Sequence, residues 1–156
     1  MPLLIEIFKN SKGSSEFWRS FSIISSNNNN NKYILLVDDE KDILELFSEC
    51  LKSEGYEIIS FDNPIDAINY LDNNENNISD CSLVITDYKM PQISGLDLIR
   101  KVREKDVQYK IKIILISAHM KDDILKDKTS ILRNDKIIEK PIPLEKLKNE
   151  VTELFK

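Results

Sequence analysis

The chain has 156 residues, with 22 Lys+Arg against 27 Asp+Glu and a formal net charge of −5. That balance, with dispersed basic residues, argues against a nucleic-acid partner, because phosphate contacts need clustered Lys and Arg. No apolar run approaches the ~20 residues of a membrane span, and a hydrophobic content of 41% is enough to build one ordinary domain plus an appendage. Two cysteines, Cys50 and Cys81, stand outside any CxxC spacing and read as reduced thiols. MPLLIEIF at the N-terminus carries Glu6 and is too short for a secretory signal, so a cytoplasmic protein with no membrane partner is expected.

Residues 1–31 form an extension whose composition differs from that of the remaining chain. Ser11, Gly13 and their neighbours are polar, and 27–31 is a pure Asn tract that reads as a flexible linker. Between them, Phe17, Trp18, Phe21, Ile23 and Ile24 make a short docking element for a partner, a segment that packs on the main domain, an appendage without function, or the product of a little-used upstream start. From Lys32 to Lys156 the pattern is regular. YILLV (33–37) predicts a buried strand ending in Asp38, Asp39 and Glu40. Ile43, Leu44, Leu46, Phe47 and Leu51 then recur at helical spacing, and Gly55 closes that helix. YEIISF (56–61) predicts a second strand, Asn63-Pro64 a helix start, and Ile65, Ile68 and Leu71 its apolar face. A loop is expected over 73–77. LVIT (83–86) runs as a buried strand into Asp87, followed by a turn around Pro91 and Gly95. Ser94 with Asp97 predicts a capped helix faced by Leu96, Leu98, Ile99 and Val102. KIILIS (112–117) is a fourth strand, 121–133 a charged helix, and KIIE (136–139) a fifth strand. The last helix starts near Pro143, with Leu144, Leu147, Val151, Leu154 and Phe155 inward.

Five strands alternating with five helices, the strands continuously apolar, imply an α/β fold with a doubly wound five-stranded parallel sheet. In such a sheet all carboxyl ends share one edge, where ligands bind. That edge would collect Asp38 and Asp39, Asp87, Ser117 and Lys140. Taken singly, each has a plainer role: a strand-end turn, a helix cap, a solvated lysine. Together, three converging carboxylates repel one another and call for a cation. Oxygen-only ligands select a hard ion such as Mg²⁺. A lysine and a hydroxyl opposite would suit a dianionic phosphoryl group, with Asp87 as candidate nucleophile.

LLVDDE (35–40), VITDYKMPQISG (84–95), LISA (115–118) and EKP (139–141) together resemble the receiver domain of two-component response regulators, over about residues 32–156. The resemblance implies a sheet in flavodoxin-like order and a phosphoacceptor, not an enzyme, that takes a phosphoryl group on Asp87 from a sensor histidine kinase or phosphotransfer protein. It implies Mg²⁺ held by Asp38, Asp39, Asp87 and the main-chain carbonyl of Lys89. Ser117 would be the switch hydroxyl, Ala118 the small residue beside it, and Lys140 the partner of the phosphoryl charge, with a cis bond before Pro141. Lys89 and His119, two residues past the acceptor and the hydroxyl, are candidates for tuning hydrolysis, although His119 reads more plainly as a surface histidine at a strand–helix turn. The chain departs from the family at Ile137, where Tyr or Phe is usual, and at LRND (132–135), where Gly-Ala is usual. Output is expected through an unknown downstream protein or a phosphorelay, because the chain ends with the last helix. A degenerate receiver that binds partners without phosphorylation is the alternative. A haloacid-dehalogenase-type phosphatase fits less well, since Asp38-x-Glu40 only approximates its paired acids and leaves Asp87 unexplained.

Overall fold

A continuous apolar strand must bury both its faces, and this requirement organises the fold. The structure, a computed structural model, describes residues 32–73, 75–118, 132 and 135–156. The five strands are β1 (Tyr33–Val37), β2 (Glu57–Phe61), β3 (Cys81–Asp87), β4 (Lys112–Ser117) and β5 (Lys136–Glu139). They form one parallel sheet in the order β2-β1-β3-β4-β5, the flavodoxin-like order expected. The described helices are α1 (Lys41–Ser53), α2 (Pro64–Asn73), α3 (Glu75–Asp80), α4 (Gly95–Lys105) and α5 (Leu144–Leu154).

Alternation along each strand divides the apolar residues between two layers. Tyr33, Leu35 and Val37 of β1, with Val84, Ile113 and Leu115, pack on Ala67 and Leu71 of α2 and on Leu98, Ile99 and Val102 of α4. Ile34 and Leu36, with Leu83, Ile85, Ile114 and Ile116, pack on Phe47 and Leu51 of α1 and on Leu147 and Val151 of α5. The predicted helix signals hold where they rest on backbone chemistry. Gly55 closes α1 at φ 90°. Asn63 accepts from the Ile65 N–H (2.8 Å) at the start of α2. Ser94 and Asp97 form a reciprocal capping box on α4.

Four details correct the sequence reading. The expected loop over 73–77 is largely helix: α2 runs to Asn73 and α3 begins at Glu75, and the Asn77 amide donates to the Tyr70 carbonyl (2.6 Å). Leu46, Ile65 and Phe155 lie on exposed rather than inward faces. Ser48 and Cys50 on α1 and Ala67 on α2 are buried instead, and Phe155 packs tilted against Tyr56 with ring centroids 5.9 Å apart. Cys81 opens β3 instead of preceding it, and both thiols are free and buried. Burial pushes the Cys81 thiol up to about 12. The predicted helix over 121–133 and the extension 1–31 lie outside the described residues. Among the described residues no helix is long and apolar enough to cross a membrane.

Candidate functional site: a carboxylate cluster at the strand ends

The helices that follow β1 and β3, α1 and α4, leave the sheet on opposite faces, so the carboxyl ends of β1 and β3 border a crevice that no crossover fills. Asp38 follows β1 directly and Asp87 is the last residue of β3. Oxygens of Asp38, Asp39 and Asp87 all lie within 4.8 Å of one another. Lys140, just past β5, reaches across β4 to the same point. Its Nζ lies 3.0 Å from Asp87 Oδ1, 3.3 Å from Asp38 Oδ2 and 3.0 Å from Glu40 Oε1. The Lys140 backbone is positioned by its N–H, which donates to the Ser117 carbonyl (2.8 Å), and the Lys140-Pro141 bond is cis.

Each carboxylate is aimed by a second contact. Asp38 Oδ1 accepts from the Glu40 N–H (2.9 Å), and Asp87 Oδ2 accepts from the Lys89 N–H (3.1 Å). Ser117 is buried at the end of β4, one residue beyond the partner of Asp87 in the β3–β4 register, Ile116. Ala118 is exposed beside it. Lys89 is exposed, and His119 lies outside the described residues.

Burial raises the pKa of Asp38 and of Asp87 above the ordinary carboxylate value, against the pull of Lys140 and of the backbone N–H groups of Glu40 and Lys89. Repulsion between the acids adds to the rise. Burial acts downward on Lys140, but hydrogen bonds to Asp87 and Glu40 outweigh it and hold the ammonium above its usual range. One ammonium thus contacts three carboxylates, Asp38, Glu40 and Asp87, while Asp39 adds a fourth to the cluster. An oxygen-only donor set with this surplus of negative charge fits a small divalent cation. Mg²⁺ meets that description.

The loop after Asp87 is held by two short contacts and one missing side chain. Tyr88 N–H donates to the Ile116 carbonyl (2.7 Å), and Gly95 N–H donates to the Tyr88 carbonyl (2.8 Å). Gly95 is less a turn residue than the first residue of α4, pressed against the end of β3. A Cβ there would sit 2.1 Å from the Asp87 carbonyl oxygen and 3.0 Å from Leu115 Cδ1. Gly95→Ala is therefore expected to destabilise the fold by about 2 kcal/mol or more, since backbone must move to admit the methyl. Its urea midpoint, measured beside Glu49→Ala as an exposed control on α1, checks this.

One feature of the site and one outside it escaped the sequence reading. Glu40 contacts Lys140, which the third acid of LLVDDE hinted at without showing its reach. Asp135, inside the unusual LRND segment, belongs to a buried ion network at the opposite edge of the sheet, and Leu132 of the same segment is a core residue. Ile137, paired with Leu115, is half-buried against the core.

Residues 34–152 match the response regulator receiver domain family model. The chain belongs to the response regulator receiver family. Among its curated relatives, this receiver is 31% identical over 118 residues to the response regulator receiver protein CpdR of Brucella abortus, covering 76% of this chain and 92% of CpdR. It is 34% identical over 82 residues to the chemotaxis protein CheY1 of Helicobacter pylori, covering 52% of this chain and 63% of CheY1. The chain spans only 33% of another relative, the chemotaxis protein CheV1 of Helicobacter pylori. Among solved structures, the receiver superposes on the response regulator TrrA of Thermotoga maritima in complex with Mg²⁺ and BeF at TM-score 0.64 and 36% identity, covering 79% of this chain and 98% of that one. It superposes on the CheX–CheY–BeF₃–Mg²⁺ complex of Borrelia burgdorferi at TM-score 0.69 and 25% identity, covering 80% and 90%. Receiver domains are phosphoacceptors in two-component signalling and bind Mg²⁺ at an acidic pocket.

Proposed function

We propose that Asp87 is the phosphoacceptor of this receiver, and that residues 32–156 act as a phosphorylation-controlled binding module, with 1–31 as a linker-bearing extension. The observation that carries the reading is Lys140 Nζ, held 3.0 Å from Asp87 Oδ1 and 3.3 Å from Asp38 Oδ2 beside the three clustered carboxylates. A carboxylate oxygen of Asp87 attacks the phosphorus of a phosphohistidine, the phosphorus–nitrogen bond breaks, and the imidazole leaves with the electron pair. The donor is a sensor histidine kinase or a phosphotransfer protein. The chemistry asks mainly for alignment and neutralisation of the phosphoryl oxygens.

Asp38, Asp39, Asp87 and the main-chain carbonyl of Lys89 would hold Mg²⁺, which when bound supplies neutralisation of the acids and of the phosphoryl oxygens. Lys140 moves one N–H from Asp87, a poorer acceptor once it is an acyl phosphate, to a phosphoryl oxygen. Ser117 donates its hydroxyl to another, and Ala118 leaves the approach open. Lys89, two residues past Asp87, is the candidate for tuning hydrolysis of the acyl phosphate, with His119 as a second candidate from its sequence position. The module works in the cytoplasm and signals through a downstream protein or onward phosphotransfer. Ile137 has no ring to rotate, so the output route differs from an aromatic swing on β5.

Incubation with acetyl phosphate tests this reading. A mass increase of about 80 Da, one phosphoryl group, is expected in Mg²⁺ and not in EDTA. It should map to the peptide containing Asp87 and be labile to hydroxylamine. No adduct in Mg²⁺ would favour the degenerate receiver instead.

A further inference from the structure

The ammonium of Lys140 has three N–H donors. Three carboxylates surround it: Asp87 at 3.0 Å, Asp38 at 3.3 Å and Glu40 at 3.0 Å. Asp38 and Asp87 are nearly buried and are anchored by backbone N–H groups. Glu40 differs from both. Its side chain is 63% exposed, and the Lys140 contact is its one described side-chain partner. It occupies the N-cap position of α1, yet its side chain makes no capping hydrogen bond. Its backbone does the local work: the N–H holds Asp38, and the carbonyl accepts from Leu44 N–H (3.0 Å). The carboxylate of Glu40 is thus neither needed for the helix nor buried in the site, and it takes up one of the lysine's donors.

We infer that Glu40 is a positioning residue that latches Lys140 in the unphosphorylated state and opposes entry of the phosphoryl anion. Two effects act in the same direction. Glu40 occupies one of the three N–H donors of the ammonium, which is then not free for a phosphoryl oxygen, and it adds a negative charge where a dianion must arrive. Water screens an exposed charge, so the penalty is modest. This inference rests on the phosphoacceptor reading of Asp87.

The test is the binding of beryllofluoride, a stable stand-in for the phosphoryl group, to the full chain in saturating Mg²⁺, followed by ¹⁹F NMR. Glu40→Gln keeps the length and the backbone contacts and removes the charge. It should bind beryllofluoride roughly three- to tenfold more tightly than wild type. Affinity for Mg²⁺ alone, titrated separately, should not rise, which places the gain on the anion. Glu40→Asp keeps the charge but shortens the arm that reaches Lys140, and it should also bind beryllofluoride more tightly than wild type. An unchanged or weaker beryllofluoride affinity in Glu40→Gln overturns the latch, as does an equal gain in Mg²⁺ affinity. If the wild-type chain binds no beryllofluoride, the phosphoacceptor reading itself falls. The two failures are therefore distinguishable.

Discussion

Asp87→Asn is expected to abolish the acetyl-phosphate adduct completely while making the metal-free protein more stable at neutral pH. An amide nitrogen and a carbonyl oxygen cannot form an acyl phosphate, so loss of the adduct needs no change of structure. The gain in stability follows from burial. The folded-state pKa of Asp87 is raised above its ordinary value of 3.8, so the folded chain binds that proton more tightly than the unfolded one. The group's contribution is fully present below about pH 3.8 and is lost as pH rises through the raised folded pKa. Asparagine has no such loss. The stability difference between variant and wild type should therefore grow in favour of the variant across that window and then level off. Lys140 keeps Asp38 and Glu40 as partners in the variant, which limits the opposing cost. Added Mg²⁺ should reverse the order, because it binds and stabilises the wild type more strongly than a site lacking one carboxylate. Thermal melts from pH 3.5 to pH 7.5, with EDTA and with Mg²⁺, check both signs. A wild type more stable than Asp87→Asn in EDTA at pH 7 would contradict the argument.

Arg103→Met should be the most damaging single change away from the site, at about 3–5 kcal/mol. Arg103, Asp106 and Asp135 have side chains only 5%, 6% and 4% exposed. Arg103 donates to Asp106 Oδ2 (2.8 Å), to Asp135 Oδ2 (2.6 Å) and to the Ile111 carbonyl (2.8 Å), and its guanidinium lies 4.7 Å from the centre of the Tyr109 ring. Asp106 also accepts from the N–H groups of Lys110 and Ile111, and Asp135 accepts from Ile113 N–H. The network therefore ties α4, the start of β4 and the start of β5 together. Methionine preserves much of the volume and leaves two buried carboxylates without their cation. Burial already raises the pKa of Asp135, against the pull of Arg103. Without Arg103 the rise is larger, so the damage should be greatest at neutral pH and shrink on acidification. Urea unfolding at pH 7 and pH 5 measures this. Mg²⁺ affinity, measured where the variant is folded, should be unchanged, since the network sits at the opposite edge of the sheet from Asp87.

The contrast between these two clusters shows where sequence reasoning reaches. Asp38, Asp39, Asp87 and Lys140 were legible because each lies at or just past the carboxyl end of a strand, and a parallel sheet sends every strand end to one edge. Placement along the chain then stands in for placement in space. Arg103, Asp106 and Asp135 offer no such cue. They lie on a helix, after it and before a strand, among many other charged residues, and only packing shows that their charges are buried together. Glu40 is an intermediate case: its position beside the acids was visible, but its reach to Lys140, 100 residues away, was not.

The helices divide in the same way. Backbone signals at Gly55, Asn63 and Ser94 hold, because caps and positive φ are local. The inward assignments of Leu46, Ile65 and Phe155 fail, because periodicity defines a stripe without saying how wide a stripe the neighbouring layer covers. The Asn-rich run after α2 misleads for a related reason, since composition favours a loop while α3 begins at Glu75 and the Asn77 side chain hydrogen-bonds back to the Tyr70 carbonyl of α2.

For the strand that ends in Asp87, local residue chemistry by itself determined a buried parallel strand, an acid at its carboxyl end and a set of distant partners on the same edge. Tertiary structure alone decided the distances that make those groups one site: carboxylate oxygens within 4.8 Å of one another, and one ammonium shared among three acids. It also decided that Gly95 must lack a side chain, because α4 begins against the Asp87 carbonyl. The physical reason is that strand order follows from periodicity and connection rules, which are written along the chain. Charge balance and close approach depend on which surfaces meet.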